Sequence, residues 1–226
     1  MVDVPAAIAF ARRELRAQAD AAAAPEMARY LKTSMPFYGV KTPDRVPIAR
    51  ELAQRWPPQT AKDYRDLVLG LWAQPHREEK YLAISLAQRH GRFITPAALP
   101  LYKRLIVEGA WWDLVDGVAG DLVGTVLLEH RERTTPRLRK WLGGDDLWLR
   151  RTAIISQLNH KDATDAAFLF ECCAARAHET EFFIRKAIGW ALRQYARTDP
   201  AAVRRFVNQQ GDALSGLSRR EALKHL

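Results

Sequence analysis

Four residues in the second half of the chain combine reactive chemistry with an unusual setting: Trp112, Asp116, Arg151 and Trp190. Arg151 falls inside the apolar stripe of Leu147, Ile154, Ile155 and Leu158, which repeats at helical period between Asp146 and Asn159. A guanidinium in a core-type slot is costly unless an anion partners it. The position therefore asks for a buried carboxylate or for a phosphate, which the planar fork of arginine suits better than lysine does. Trp112 and Asp116 stand four residues apart on the flank of a second stripe, Trp111, Val115, Val118, Leu122 and Val126, so they are neighbours on one helix surface. Trp111 reads as core and Asp113 as a solvated or capping acid, whereas Trp112, at the stripe's edge beside a carboxylate, fits either packing or a site. Trp190 lies off the apolar face formed by Phe183, Ile184, Ala187, Ile188, Ala191, Leu192 and Tyr195, over the side that carries Lys186, Arg193 and Arg197. An indole among cations suits a nucleotide, with charges on phosphates and the ring against sugar or base; the alternative is a tryptophan filling a seam between adjacent repeats.

These side chains need helices to hold them, and the sequence supplies little else. Segments read with helical periodicity throughout, and Pro, Gly and Asp punctuate the gaps at Thr42-Pro43-Asp44, Trp56-Pro57-Pro58, Gln74-Pro75 and Gly143-Gly144-Asp145. Helix pairs are expected to open near Pro43, His76, Trp111, Asp146 and Glu181, the last four starts being spaced by about 35 residues. The expected fold class is all-α: an α-solenoid of degenerate HEAT-like repeats with roughly a dozen helices, curved around a concave basic groove, in one domain spanning 1–226. Equivalent slots of such an array line up along one face, and stepping by 35 from Asp116 reaches Arg151 and then Lys186.

Composition narrows the partners. With 48% hydrophobic and 27% charged residues, the 226-residue chain can bury a full core. No apolar run approaches the roughly 20 residues of a membrane span, and the charged N-terminus is unlike a signal peptide, so a cytoplasmic protein without membrane association is expected. Cys172 and Cys173 are adjacent in a helical segment, which rules out an ordinary disulfide between them, and the histidines show no metal-ligand spacing, so neither metal nor cofactor is expected. The formal charge of +9 is uneven: residues 1–130 hold 17 Lys/Arg against 15 Asp/Glu, and residues 131–226 hold 18 against 11. A cationic C-terminal part fits either a soluble basic surface or a polyanion-binding face.

At these residues the chain resembles the AlkD family of HEAT-like DNA glycosylases, which remove positively charged alkylpurines such as 3-methyladenine and 7-methylguanine. The likeness runs through Glu26-Met-Ala-Arg-Tyr30, Phe37-Tyr-Gly-Val-Lys-Thr-Pro43, Trp111-Trp-Asp-Leu-Val-Asp116, Trp148-Leu-Arg-Arg151, Lys186-Ala-Ile-Gly-Trp190 and Ser218-Arg-Arg-Glu-Ala-Leu-Lys224. The resemblance implies that Asp116 is the catalytic carboxylate, with Trp112, Arg151 and Trp190 completing the site, and that Tyr30 and Thr42 lie near DNA. Lys186, Arg193, Arg197, Arg219 and Lys224 are the expected DNA-binding cations. The expected partner is alkylated double-stranded DNA, bound by a monomer. The chain departs from the family in stopping at Leu226, where relatives continue with a short tail, and in placing Arg150 beside Arg151.

The implied chemistry is economical. An alkylated purine that already carries positive charge departs as a neutral base, so no general acid is needed. The deoxyribose left behind becomes oxocarbenium-like, and a nearby carboxylate stabilises it while holding the attacking water. The faces of Trp112 and Trp190 would add about 0.5–2 kcal/mol each by cation–π attraction, and Arg151 would hold a phosphate. Many glycosylases extrude the base into a pocket, but the resemblance implies a lesion read from the backbone side without one. Two further readings use the same residues: a non-catalytic DNA-binding relative, and a protein-interaction scaffold.

Overall fold

The computed structural model describes residues 2–226, and the described residues form α-helices, short 3-10 turns and one π-helical stretch, with no strand among them. The all-helical expectation holds. Pair-opening helices begin at Thr42, Arg77, Trp112, Leu147 and Phe182, each within one residue of the start read from the sequence. From Arg77 to Phe182 the interval is 35 residues each time. A further opening helix starts at Gly216, capped by Ser215, whose hydroxyl accepts from the Ser218 N–H; the periodicity had not marked it.

The chain divides into two compact units, one ending at Ile94 and the other beginning at Thr95. The first contains α1 (Val4–Ala17), α2 (Ala23–Leu31), α3 (Thr42–Arg55), α4 (Ala61–Trp72) and α5 (Arg77–Arg89). Its one long non-helical connection, between α2 and α3, is held by Glu78. That fully buried carboxylate accepts from the backbone N–H groups of Tyr38, Gly39 and Val40 at 3.1, 2.9 and 3.1 Å, satisfying three donors that no helix could serve. Gly39 adopts a φ of +88°, and a Cβ there would lie 2.1 Å from the Asp20 carbonyl oxygen, so only glycine fits. This explains the Phe37-Tyr-Gly-Val-Lys-Thr-Pro43 segment physically. Tyr30 is 74% exposed near the end of α2, and Thr42 is the exposed first residue of α3, its hydroxyl accepting from Arg45 at 2.7 Å.

The second unit carries α6 (Leu99–Gly109), α7 (Trp112–Gly117), α8 (Gly124–Glu129), α9 (Arg131–Gly143), α10 (Leu147–Ile155), α11 (Ala166–Ala175), α12 (Phe182–Tyr195), α13 (Pro200–Gln210) and α14 (Gly216–Ala222). A π-helical stretch, Val118–Val123, joins α7 to α8 without a break in helical dihedrals. The stripe Val115, Val118, Leu122 and Val126 is fully buried, as its spacing required. α10 packs against α7 and α12, and α12 against α14. The helices end sooner than their periodicity suggested: α10 stops at Ile155 rather than near Asn159, and α12 at Tyr195, which leaves Arg197 beyond the helix. Cys172 and Cys173 are buried free thiols on α11, and burial pushes both up from the ordinary thiol range, which makes them inert.

Gly189 sets how closely α12 and α14 approach. A Cβ added there would meet the Glu221 Cβ at 2.4 Å and the Ser218 carbonyl oxygen at 3.0 Å. Gly189→Ala is expected to destabilise the protein by about 1–3 kcal/mol through overpacking, outweighing the roughly 1 kcal/mol of helix propensity that alanine gains. Urea midpoints of the two proteins measure the balance, and a more stable alanine variant would contradict the close approach.

Candidate functional site

Asp116 and Arg151, which the sequence placed one repeat apart, meet directly. Arg151 donates from Nε to Asp116 Oδ1 at 2.8 Å and from Nη2 to Oδ2 at 2.7 Å, a bidentate fork. Its third nitrogen, Nη1, donates to the Phe183 carbonyl oxygen at 2.6 Å, at the start of α12. Three helices are thereby tied at one point. The arginine side chain is 5% exposed and the aspartate 16%, so most of the pair is out of water and the carboxylate keeps an opening to it. Of the anions that Arg151 could have faced, the chain supplies its own.

Burial pushes the Asp116 carboxyl above its ordinary value, against the pull of the Arg151 hydrogen bonds and charge; the Asp113 carboxylate adds to the upward push. The charged form of Asp116 thus depends on the guanidinium that grips it. An aromatic cluster backs the pair. The Phe183 ring lies 5.3 Å from Trp111 and 5.0 Å from Trp148, and the Arg151 guanidinium carbon is 6.0 Å from the Phe183 centroid. Trp111 reads correctly as packing. Trp112, the first residue of α7, sits one turn before Asp116 and is half-buried. Trp190, also half-buried, lies on α12, one turn beyond Lys186. The two indoles therefore stand on helices that each pack against α10, the helix of Arg151.

The expected cations do not all behave alike. Lys186 and Arg193 converge on Glu221 of α14: Lys186 donates to Oε1 at 3.0 Å and Arg193 to Oε2. The two charges are thus bridged by a carboxylate rather than left to repel each other, and Lys186 foremost holds Glu221 below its usual range. Sequence reasoning missed Glu221, although stepping by 35 once more from Lys186 lands on it. The ladder is therefore Asp116 to Arg151, then Lys186 to Glu221, two ion pairs formed across one repeat each. Arg219 donates to the Gly211 carbonyl oxygen at 2.8 Å, and Lys224 is exposed near the end of the chain. Arg197 is exposed on the turn after α12, where it lines a separate cavity. Arg150 belongs to the scaffold: it pairs with Glu179 at 3.0 Å and donates to the carbonyl oxygens of Gly144 and Asp145. No group of three or more His, Cys, Asp or Glu that could hold a metal ion occurs among the described residues, and none of their helices is long and apolar enough to cross a membrane.

The π-helical stretch behind Asp116 is braced by the segment after α10. Asn159 donates to Asp121 at 2.9 Å, and buried His160 donates from Nε2 to the Gly124 carbonyl oxygen at 2.9 Å, which leaves its buried Nδ1 without a partner. Burial is the main cause that lowers the His160 pKa below 6.5, the Gly124 carbonyl opposes it, and Arg131 adds to the lowering. A group depressed on folding gives stability that is whole above its unfolded pKa and is lost as pH falls toward the folded value. Thermal unfolding is therefore expected at lower temperature as the pH drops below about 6.5. His160→Gln, which keeps the donor but cannot titrate, should lack that part of the decline; an identical pH profile would refute the assignment.

A family model described as DNA alkylation repair enzyme matches residues 11–226. Among solved structures, the chain is similar to a "Predicted DNA alkylation repair enzyme from Enterococcus faecalis", with 29% sequence identity and a TM-score of 0.82 over 92% of this chain and 97% of the other. No curated protein matches it.

Proposed function

The chain belongs to the DNA alkylation repair enzyme family, and on that premise we propose that it is a monofunctional glycosylase, hydrolysing the N-glycosidic bond of positively charged alkylpurines such as 3-methyladenine and 7-methylguanine in duplex DNA. The observation that carries this reading is the Asp116 carboxylate, held in a bidentate fork by a 5%-exposed arginine while keeping 16% of its own side chain exposed. A fixed anion of this kind loses no energy to reorganisation when a positive charge develops beside it. The departing base is already cationic and needs no proton, so the demand falls on the sugar, and Asp116 meets it while holding the water that completes hydrolysis.

Arg151 serves as the positioning residue for Asp116, because Nε, Nη1 and Nη2 are all engaged. Trp112 and Trp190 offer ring faces to the sugar cation. Lys186, Arg193, Arg219 and Lys224 supply contacts to the DNA backbone, the first two by exchanging Glu221 for phosphate; Tyr30 and Thr42 are proposed to contact DNA as well.

The test is incubation with methylated duplex DNA, scoring free methylpurines by mass spectrometry and abasic sites on the strand. Release of both methylpurines supports the reading. Tight DNA binding without release would leave a non-catalytic binder. Affinity that barely responds to salt would point to a protein scaffold, since log–log slopes near −0.9 per neutralised phosphate are expected for duplex DNA.

A further inference from the structure

We propose that a cavity in the C-terminal unit, at the C-terminal ends of α10 and α12, is a binding site for a small organic anion, an apolar body bearing one phosphate or carboxylate. The cavity has a volume of about 280 Å³, at the lower edge of the roughly 300–1,000 Å³ of small-molecule sites. Leu158, Leu169 and Ala191, all buried, give it an apolar floor, with Tyr195 beside them. Lys161 and Arg197 line it from opposite segments of chain. Neither cation is in an ion pair among the described residues. Asp162 also lines the cavity, so its charged groups sum to one positive charge, the complement of a single anionic group.

The rim is built rather than loose. Gln157, 6% exposed, grips Asp165 from both sides, donating to its carbonyl oxygen at 3.0 Å and accepting from its N–H at 2.7 Å. Arg131 donates to the Ala163 carbonyl oxygen at 2.6 Å, and His160 anchors the same segment to Gly124. Between these anchors Lys161 is held at a φ of +51°, a left-handed conformation uncommon for lysine. Such outliers persist where surrounding structure over-determines them, and they cluster at ligand clamps. An apolar floor with a few charged groups on a backbone-braced rim is the usual anatomy of a small-molecule site. Asp116 does not line this cavity, and of the residues expected to bind DNA only Arg197 does, so Lys161 tests the inference independently of the reading of the chain as a glycosylase.

Phenyl phosphate, benzoate and inorganic phosphate probe the site in the full-length protein, followed by calorimetry and backbone amide shifts. Phenyl phosphate should bind saturably at one site, with shifts confined to residues 154–169 and 191–198, and inorganic phosphate about tenfold more weakly for want of the apolar contact. Comparable binding of benzoate identifies a site that accepts either anion, and its failure a phosphate site; both outcomes support the cavity. Lys161→Asn, which tolerates the left-handed backbone, and Arg197→Ala should each weaken phenyl phosphate by about tenfold through loss of a charge-assisted hydrogen bond. The proposal is overturned if phenyl phosphate gives no saturable shifts at millimolar concentration, or if its binding is indifferent to both substitutions.

Discussion

Replacing Arg151 with methionine is expected to cost about 3–5 kcal/mol of stability, the usual consequence of removing one partner from a buried ion pair. Methionine retains much of the arginine stem, so the loss reports charge and hydrogen bonds rather than volume. Three hydrogen bonds disappear together, two to Asp116 and one to the Phe183 carbonyl oxygen, and with them the side-chain tie between α7, α10 and α12. The stranded carboxylate adds a pH signature. Asp116 is already raised by burial, and without the guanidinium it rises further. A group raised on folding favours the folded state at low pH and loses that contribution as pH climbs through its folded pKa. The deficit of Arg151→Met should therefore shrink on acidification, as protonation removes the unpaired charge. Urea titrations at neutral and acid pH read both effects, and a deficit below about 0.5 kcal/mol at neutral pH would mean that the pair does not brace the fold.

The second large effect is on chemistry. Asp116→Asn should lower single-turnover release of 7-methylguanine by about 10²- to 10³-fold, or roughly 3–4 kcal/mol of transition-state stabilisation. The substitution also faces buried Arg151 with an amide that can accept one of its two hydrogen bonds, so some stability is lost and rates must be compared per folded molecule. Combining Asp116→Asn with Arg151→Met separates the two roles. The double variant leaves neither charge stranded, so its stability deficit should be smaller than the sum of the two single deficits, because the two residues form one coupled unit. Its activity should stay at the level of Asp116→Asn. Unchanged single-turnover rates in Asp116→Asn would remove this carboxylate from the mechanism.

Much of this was legible before any coordinate. The starts read near His76, Trp111, Asp146 and Glu181 are spaced by about 35 residues, and the helices begin one residue further on, at Arg77, Trp112, Leu147 and Phe182. A charged residue in an apolar stripe must find a partner, so the need of Arg151 for an anion was readable, and the 35-residue step already pointed to Asp116. The choice between that carboxylate and a phosphate was not readable, because periodicity says which slots align and not which side chains reach one another. The Lys186 and Arg193 bridge through Glu221 escaped notice for the same reason: α14 was not marked as a repeat-opening helix. The early helix ends at Ile155 and Tyr195 were hidden because the apolar pattern continues past the point where the backbone turns. The brace of Gln157 on Asp165 depends on a side chain reading backbone groups eight residues away, which no pattern of hydrophobicity reveals.

The central claim is that catalysis acts on the sugar, with a carboxylate steadying its developing positive charge and no acid serving the base. The leaving group's own charge tests it. Single-turnover base release is measured for wild-type protein on two duplexes, one carrying 7-methylguanine and the other the uncharged alkylpurine O6-methylguanine. The account predicts release of 7-methylguanine with an abasic site left behind, and no release of O6-methylguanine. Retention of 7-methylguanine, or equal release of both, would contradict it.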